Sequence, residues 1–211
     1  AIELDGPYEV QLVASEPLVF DPVEMTWDAK GRCFVADMID YPLGPPEGRK
    51  PLSRIVQLLD PDKSGRYTKS KVFADQVDHV QGLLPFKDGL IATTRTQILF
   101  LRDTNGDGVA DEIKPLVEGF NPNHSQLQVS APRLGLDNCV YFNNGLSTGE
   151  IYPAANPEAK MKAARTNLRW DPATGKLELA TGNGQYGGCF DDWGRHFSCS
   201  NRNPVMFAVM P

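Results

Sequence analysis

One acidic loop combines residue types and a spacing that suit a bound cation. The stretch RDTNGDGVADE (102–112) places four oxygen-bearing side chains on odd-numbered positions around two glycines: Asp103, Asn105, Asp107 and Asp111. Oxygen ligands at this spacing, in a turn that glycine permits, are typical of calcium sites. We therefore predict a calcium ion bound by these side chains and by the Val109 carbonyl. The alternative is a plain acidic turn, because turns favour Asp, Asn and Gly.

The loop departs from an EF-hand. Lys114 stands where an EF-hand has its bidentate glutamate, and the flanking residues are typical of strands instead of helices. A related turn, DPDKSGRYT (60–68), has Thr68 in place of Asp111. Its lower charge predicts weaker ion binding. A feature that weakens between repeats in this way indicates a structural role.

One histidine is the candidate for acid–base chemistry. His124 lies in GFNPNHSQLQ (119–128), and a neutral imidazole near pH 7 can take a proton as a general base. The alternative is a loop histidine that bonds the backbone. His79 and His196 lie in or beside predicted strands, and we interpret both as structural.

A repeat of short strands must position these residues. Apolar runs punctuated by Gly, Pro, Asp and Asn predict an all-β fold. One hairpin recurs at 23–37, 80–94, 131–145 and 188–201, and a second recurs at 54–75, 96–120 and 166–182. Two hairpins in about 50 residues give four strands, the size of a β-propeller blade. A β-sandwich is the alternative, but it does not explain paired, repeating hairpins.

We therefore predict a β-propeller segment of about three and a half blades. The predicted limits are 20–76, 77–121, 122–182 and, for an incomplete fourth blade, 183–211. The remaining blades are expected from the same polypeptide or from a partner chain. Segment 8–19 is predicted to be a strand that completes the last blade and closes the ring.

Propeller connectivity sorts the candidate residues between two faces. Turns from the first to the second strand and from the third to the fourth share one face, so the acidic loop lies there, near the outer edge. The other loops share the opposite face, called the ligand face below, where sites gather around the channel. The polar residues predicted on the ligand face are Asp37, Asp40, Tyr41, Thr94, Arg95, His124, Asn143, Asn144, Asn201, Arg202 and Asn203. This set suits an oxygen-rich or anionic ligand.

Composition excludes several other function classes. The 211 residues are 41% hydrophobic and 23% charged, as in soluble globular proteins. A net charge of −6 without a basic block argues against nucleic-acid binding. No apolar run approaches the roughly 18 residues of a membrane span, and the opening AIELDGPYEV has no signal-peptide pattern, as expected also of a mature, cleaved protein.

The cysteines add no metal or haem motif. The four cysteines lack CxxC and CxxCH spacing, which excludes a zinc ribbon, a thioredoxin motif and c-type haem attachment within this segment. Cys189 and Cys199 either form a disulfide or remain two free thiols.

Several motifs together resemble a bacterial family of membrane-bound dehydrogenases. These motifs are YEVQLVASEPLVFDPVEMTWDAKGRCFVADMIDYPLG (8–44), the paired turns LLDPDKSGRY and LRDTNGDGVADE, and FDDWGRHFSCSNRNP (190–204). The domain of that family is similar to the soluble quinoprotein glucose and sorbosone dehydrogenases. The resemblance implies a six-bladed propeller, export to the periplasm or the extracellular space, and a c-type cytochrome domain.

The same resemblance implies residue roles. His124, ahead of GLDNCVYF (135–142), resembles the histidine base of the quinoprotein glucose dehydrogenases, although its spacing to the hairpin is longer. Arg202 and Asn203, followed by Pro204, are similar to an Arg-Asn-Pro that helps hold the carboxylates of pyrroloquinoline quinone in those enzymes.

We therefore expect a calcium-stabilised, quinone-dependent sugar or alcohol dehydrogenase that passes electrons to a c-type cytochrome. The alternative is a non-catalytic calcium-binding propeller that acts as a glycan- or protein-binding scaffold. A lactonase-type hydrolase would need a metal in the channel, and the sequence shows no clear cluster for one.

Overall fold

The computed structural model describes residues 3–122, 124–145, 149–163 and 165–209. Within these ranges all regular secondary structure is β-strand, in four antiparallel sheets. The predicted all-β class is therefore confirmed. In the same ranges, no helix is long and apolar enough to cross a membrane.

The first sheet is a four-stranded meander that runs in chain order. Its strands are β1 (Pro22–Trp27), β2 (Cys33–Asp37), β3 (Arg54–Pro61) and β4 (Tyr67–Ala74). β2 is buried along its whole length, which explains why its sequence, CFVAD, is apolar up to the final aspartate.

A hairpin that lies within the third repeat in the sequence belongs to the second sheet in the structure. The second sheet contains β5 (Gly82–Phe86), β6 (Gly89–Thr93), β7 (Gln97–Arg102) and β8 (Glu112–Phe120), and the third begins with β9 (Ser130–Leu134) and β10 (Val140–Asn143). The chain then forms β11 (Gly149–Pro153) and β12 (Met161–Lys162), and returns to the third sheet as β13 (Asn167–Trp170) and β14 (Leu177–Ala180). β11 pairs with β8, so the second sheet has six strands. The sequence pattern does not predict this pairing.

The fourth sheet has three strands within the described residues. They are β15 (Tyr186–Phe190), β16 (His196–Cys199) and β17 (Met206–Phe207). The two recurring hairpins of the sequence are therefore present as paired strands, β1–β2 and its equivalents and β3–β4 and its equivalents. This arrangement is a β-propeller segment, and we propose the predicted limits 20–76, 77–121, 122–182 and 183–211 as its blade boundaries.

An aspartate fixes each of several tight turns in the same way. Asp28, Asp62 and Asp191 each accept backbone N–H groups from the residues two and four positions later, at 2.8–3.1 Å. A glycine three residues after each aspartate has a φ between +76° and +86°, a conformation that costs glycine nothing. These turns are therefore specified locally by the sequence.

Apolar cores lie between neighbouring sheets. Phe34, Phe73 and Leu83 belong to a core shared by the first and second sheets. Val117 and Phe142 belong to a core shared by the second and third. The first strands of the sheets contact one another, β1 with β5, β5 with β9, and β9 with β15. These innermost strands therefore line the central channel.

Segment 8–19 forms no strand with the described sheets, and the last blade that it was predicted to complete is not among them, so closure of the ring by this segment stays a prediction. It runs across the face of the first sheet that is turned away from the second sheet, where Val19 packs against Val35 and Leu58. One backbone bond joins it to that sheet, from Tyr67 N to the Val13 carbonyl at 2.8 Å.

Candidate functional site

A cavity of about 460 Å³ opens among the innermost strands. All four sheets contribute to its walls, with Glu24 from β1, Gln81 ahead of β5, Ser125 and Arg133 from the third repeat, and Tyr186 from β15. The volume is in the usual range for small-molecule sites. The cavity lies on the channel axis, where the propeller connectivity predicted a ligand.

Side chains from three repeats form a connected polar rim, here called the mouth of the cavity. The Gln126 side-chain amide donates to the Tyr41 hydroxyl at 2.6 Å. The Gln185 amide donates to the Gln126 carbonyl at 3.5 Å and to the Tyr186 hydroxyl at 3.1 Å. Asn201 N donates to Gln185 Oε1 at 3.2 Å. Loops far apart in sequence are thereby held around one opening.

Arg95 joins the second repeat to the ligand face. Its Nε and Nη2 donate to the Pro122 carbonyl at 3.3 and 3.2 Å. Gly44 lies against the guanidinium, and a Cβ at Gly44 would lie 2.5 Å from Arg95 Nη1. The φ of +84° favours glycine there, and a larger residue would also displace the end of the Arg95 side chain.

His124 is exposed and lies beside the mouth. Its Nδ1 accepts a hydrogen bond from Gln126 N at 3.2 Å, and its carbonyl accepts one from Leu127 N at 3.0 Å. The next residue, Ser125, lines the cavity. When Nδ1 of a neutral imidazole accepts a bond, Nε2 carries the hydrogen. His124 is therefore a donor at Nε2 in this conformation, and its role as a base stays a prediction.

Arg202 and Asn203 lie on an exposed turn after β16. Their backbone N–H groups donate to Ser200 Oγ at 3.4 and 3.1 Å, and Ser200 N donates to the Asn203 carbonyl. The turn reaches the mouth through Asn201, but neither predicted cofactor residue lines the cavity. Their cofactor role stays a prediction.

Two predicted ligand-face carboxylates have structural bonds instead. Asp37 is fully buried and accepts hydrogen bonds from Phe20 N at 3.0 Å, Asp21 N at 2.7 Å and Arg54 Nε at 3.2 Å. Its two oxygens thus join the end of β2 to the residues ahead of β1 and to the start of β3. Asp37 therefore has a structural role.

The Asp40 carboxylate also makes its hydrogen bonds within the fold. Its carboxylate accepts bonds from Leu52 N and from both N–H and hydroxyl of Ser53, at 2.6–3.0 Å. Burial alone would raise its pKa, but the bonds from Ser53 and Leu52 outweigh burial and hold the pKa of Asp40 below its usual range. Asp40 fixes the base of the loop that carries Tyr41.

Other predicted polar residues also have local partners. Thr94 Oγ1 donates to the Gln97 carbonyl at 3.0 Å and so closes the β6–β7 turn. Asn143 is buried and its amide donates to the Gly187 carbonyl, while Asn144 is buried beside it. These residues shape the ligand face instead of lining the cavity.

Sequence reasoning missed an acid and a base inside the channel. Glu24 and Arg133 lie on the innermost strands β1 and β9, with Arg133 Nη2 3.4 Å from both carboxylate oxygens. Burial raises the pKa of Glu24, and Arg133 opposes this rise. The sequence does show one charged residue within the first strand of the first sheet and one within the first strand of the third sheet. It does not show which side of each strand faces the channel.

The acidic loop lies away from the cavity, in the β7–β8 turn against β4. Ala110 N donates to the Phe73 carbonyl at 2.7 Å, and the Lys71 ammonium donates to the Asp107 carbonyl. The predicted position near the outer edge therefore agrees with the structure. The loop joins the first and second sheets.

The predicted calcium ligands already organise the loop. Each of the four accepts a bond from the loop itself: Asp103 from Gly106 N and Gly108 N, Asn105 from Asp107 N, Asp107 from Val109 N, and Asp111 from Thr104. Among the described residues, no group of three or more His, Cys, Asp or Glu side chains is placed to hold a metal ion. Carboxylates keep further lone pairs, so the loop chemistry still fits calcium, and the ion stays a prediction.

The mouth also fits the cofactor that the resemblance implies. Pyrroloquinoline quinone is planar and carries carboxylates and quinone oxygens. The guanidinium of Arg95 on the ligand face, the amide of Gln126 and the hydroxyl of Tyr41 supply donors that such groups accept from. The donor set therefore suits an anionic, oxygen-rich group at the mouth.

Solved structures that share this architecture include two enzymes from fungi. The holo form of the pyranose dehydrogenase PQQ domain from Coprinopsis cinerea gives a TM-score of 0.55 at 15% identity, over 85% of this chain and 43% of that chain. A carbohydrate-active enzyme of family AA12 from Trichoderma reesei gives 0.52 at 16% identity, over 78% of this chain and 38% of that chain. A luciferin-regenerating enzyme gives 0.50 at 8% identity, over 90% and 60%. At these identities the likeness shows the fold.

The chain spans less than two thirds of each of these three structures. No curated protein sequence matches it. One family model matches from the first residue to the last. The chain belongs to the family described as a domain of unknown function, DUF7133, whose model matches residues 1–211.

Proposed function

We propose that the chain is part of an exported, quinoprotein-type dehydrogenase that oxidises a sugar or another alcohol and passes electrons to a c-type cytochrome. The observation that carries this proposal is the polar mouth over a cavity of about 460 Å³ on the propeller axis. The likeness in fold to the PQQ domain of pyranose dehydrogenase supports it. Periplasmic or extracellular location and the cytochrome partner are part of the proposal.

Alcohol oxidation removes a proton from the hydroxyl and a hydride from the carbon that bears it. A bound quinone supplies the acceptor for the hydride. Arg95 and Arg202 would hold the carboxylates of the cofactor, and Tyr41 and Gln126 would bind its oxygen atoms at the mouth. The protein thus contributes binding and orientation.

His124 removes the hydroxyl proton in this mechanism. The step requires a free lone pair at Nε2, so the ring must carry its hydrogen at Nδ1 and give up the bond from Gln126 N. The same residue, Gln126, binds Tyr41 through its side chain.

The test uses the complete polypeptide loaded with pyrroloquinoline quinone and calcium. Dye reduction is measured across a panel of sugars and alcohols for the wild type, for His124→Gln and for Glu47→Gln, an exposed control on the Tyr41 loop. We expect His124→Gln to lower kcat by about 100-fold or more, the usual contribution of a general base, and the control to match the wild type. Absence of dye reduction across the panel by the loaded wild type would overturn the proposal.

We propose calcium in the acidic loop as a structural ion. The loop lies against β4 through the Ala110–Phe73 backbone bond, on the side of the blade away from the mouth. An ion there would stabilise the junction between the first two sheets. It would take no part in alcohol oxidation.

A scaffold that binds a glycan or protein is the second candidate. The observation that favours it is that Asp37 and Asp40 are fully committed to structural bonds and that His124 donates at Nε2. The absorption spectrum of the native protein separates the two functions. A quinone band in the protein purified from its source supports the dehydrogenase, whereas its absence together with glycan binding supports the scaffold.

A further inference from the structure

Glu24 and Arg133 form a loose pair inside the cavity, below the mouth. Arg133 Nη2 lies 3.4 Å from Glu24 Oε1 and 3.4 Å from Oε2, longer than the 2.7–2.9 Å of a well-formed charge-assisted bond. By contrast, Arg133 Nε donates to the Gly188 carbonyl at 2.7 Å, and Nη1 donates to the Pro132 carbonyl at 2.8 Å. Backbone carbonyls, and not Glu24, hold the guanidinium in place.

Both groups keep unused hydrogen-bonding capacity that faces the cavity. The Glu24 carboxylate has no other hydrogen-bond partner among the described residues. The Glu24 and Arg133 side chains are 20% and 29% exposed. A pair elsewhere in the third sheet is tight, with Arg169 Nη1 2.7 Å from Glu178. The channel pair is therefore an acceptor and a donor held side by side without satisfying each other.

The surrounding wall fits the carbon skeleton of a small polar ligand. Val23, Met38, Ala131 and Gly187 line the same cavity and present apolar surface beside the charged pair. Ala131 has a φ of +49° within β9, a conformation rare for alanine that is concentrated at functional sites. The cavity thus combines apolar walls with a few convergent polar groups, as ligand sites do.

We propose that Glu24 and Arg133 form a subsite for a vicinal diol of a neutral polyol or sugar. One hydroxyl donates to the Glu24 carboxylate, and the neighbouring hydroxyl accepts from Arg133 Nη2. The subsite deepens the proposed function, on whose carbohydrate substrate class it rests. A ligand carboxylate is disfavoured, because it would meet Glu24 as well as Arg133 and the two anions would repel.

Binding measured without cofactor or electron acceptor tests this subsite. The probe is D-glucitol, a neutral hexitol, titrated by calorimetry or by ligand-observed NMR into the complete polypeptide. The matched probes are 1,6-hexanediol, which has no neighbouring hydroxyls, and D-gluconate, which adds a carboxylate. The variants are Glu24→Gln and Arg133→Lys, with Glu178→Gln as the control from a tight pair outside the cavity.

We expect D-glucitol to bind more tightly than the other two probes. Glu24→Gln and Arg133→Lys each weaken its binding about tenfold or more, as expected when a hydrogen bond to a charged group is lost, and Glu178→Gln leaves it unchanged. Thermal melting confirms that each variant is folded, and Arg133→Gln replaces Arg133→Lys if the latter is not.

Three results would overturn the subsite: no D-glucitol binding, equal weakening by Glu24→Gln and Glu178→Gln, or tighter binding of D-gluconate. D-glucitol binding without dye reduction would reject the dehydrogenase and keep the subsite. Dye reduction without an effect of Glu24→Gln on D-glucitol binding would reject the subsite and keep the dehydrogenase.

Discussion

Replacing Asp37 with asparagine should destabilise the protein without acting on a ligand directly. The carboxylate is fully buried, accepts two backbone N–H groups and pairs with Arg54 Nε at 3.2 Å. Asparagine keeps one acceptor oxygen but turns an N–H donor toward Arg54. Breaking a buried ion pair costs about 3–5 kcal/mol. Because the Arg54 side chain is 22% exposed and can regain some water, we expect the low end, about 3 kcal/mol.

That loss is large enough to measure by thermal melting or urea unfolding. For a protein of this length it corresponds to a fall in Tm of about 6–12 °C. The matched control is Asp21→Asn, because the Asp21 side chain is exposed and its contribution to this cluster is a backbone N–H. The control should change stability by less than about 0.5 kcal/mol. A loss below about 1 kcal/mol for Asp37→Asn, or one equal to the control, would refute the structural role assigned to Asp37.

Three further predictions test the acidic loop, the channel and the ligand face. If calcium binds the loop, chelation lowers Tm in the wild type and Asp107→Ala removes most of that sensitivity; a Tm that ignores the chelator contradicts the site. Burial raises the pKa of Glu24, so its ionisation costs stability above the unfolded value of about 4.3, and this cost is complete once the pH exceeds the folded pKa. The Tm of Glu24→Gln should therefore rise relative to that of the wild type as the pH increases from about 4.3 to the folded pKa of Glu24; a pH-independent difference would be inconsistent with this. Gly44→Ala should cost about 0.5–1.5 kcal/mol more than Gly48→Ala, because both have a positive φ but only at Gly44 does the added Cβ displace the Arg95 guanidinium from the Pro122 carbonyl; equal unfolding midpoints would exclude the steric explanation.

The sequence predicts the architecture because its signals are local. Turns such as those led by Asp28 and Asp62 are closed by bonds that span four residues at most. Such hairpins are recognisable in the sequence as an Asp-led turn with glycine between two apolar runs, and the spacing of the hairpins reveals the repeat. The connectivity of the repeat then places the acidic loop on the outer side, against β4.

The sequence does not predict contacts between distant segments. β11 pairs with β8 across the proposed blade boundary. The composition of β11 does not distinguish this place in the second sheet from a place in the third sheet beside its chain neighbours β10 and β13. Glu24 and Arg133 are 109 residues apart and meet only because β1 and β9 both face the channel. Segment 8–19 makes one backbone bond to β4, a contact between the start of the chain and a strand more than 45 residues later that composition does not reveal.

The ligand face shows why the position of a residue and its role must be argued separately. Connectivity brought Asp37, Asp40 and Tyr41 to the predicted face, yet only Tyr41 reaches the cavity. The difference is hydrogen-bonding capacity, because the two carboxylates are saturated by backbone N–H groups and neighbouring side chains. A buried group whose bonds are all made within the fold has little left to offer a ligand. Groups that other bonds hold in place while a donor or acceptor stays unused are able to bind a ligand, and Arg133 in the channel is such a group.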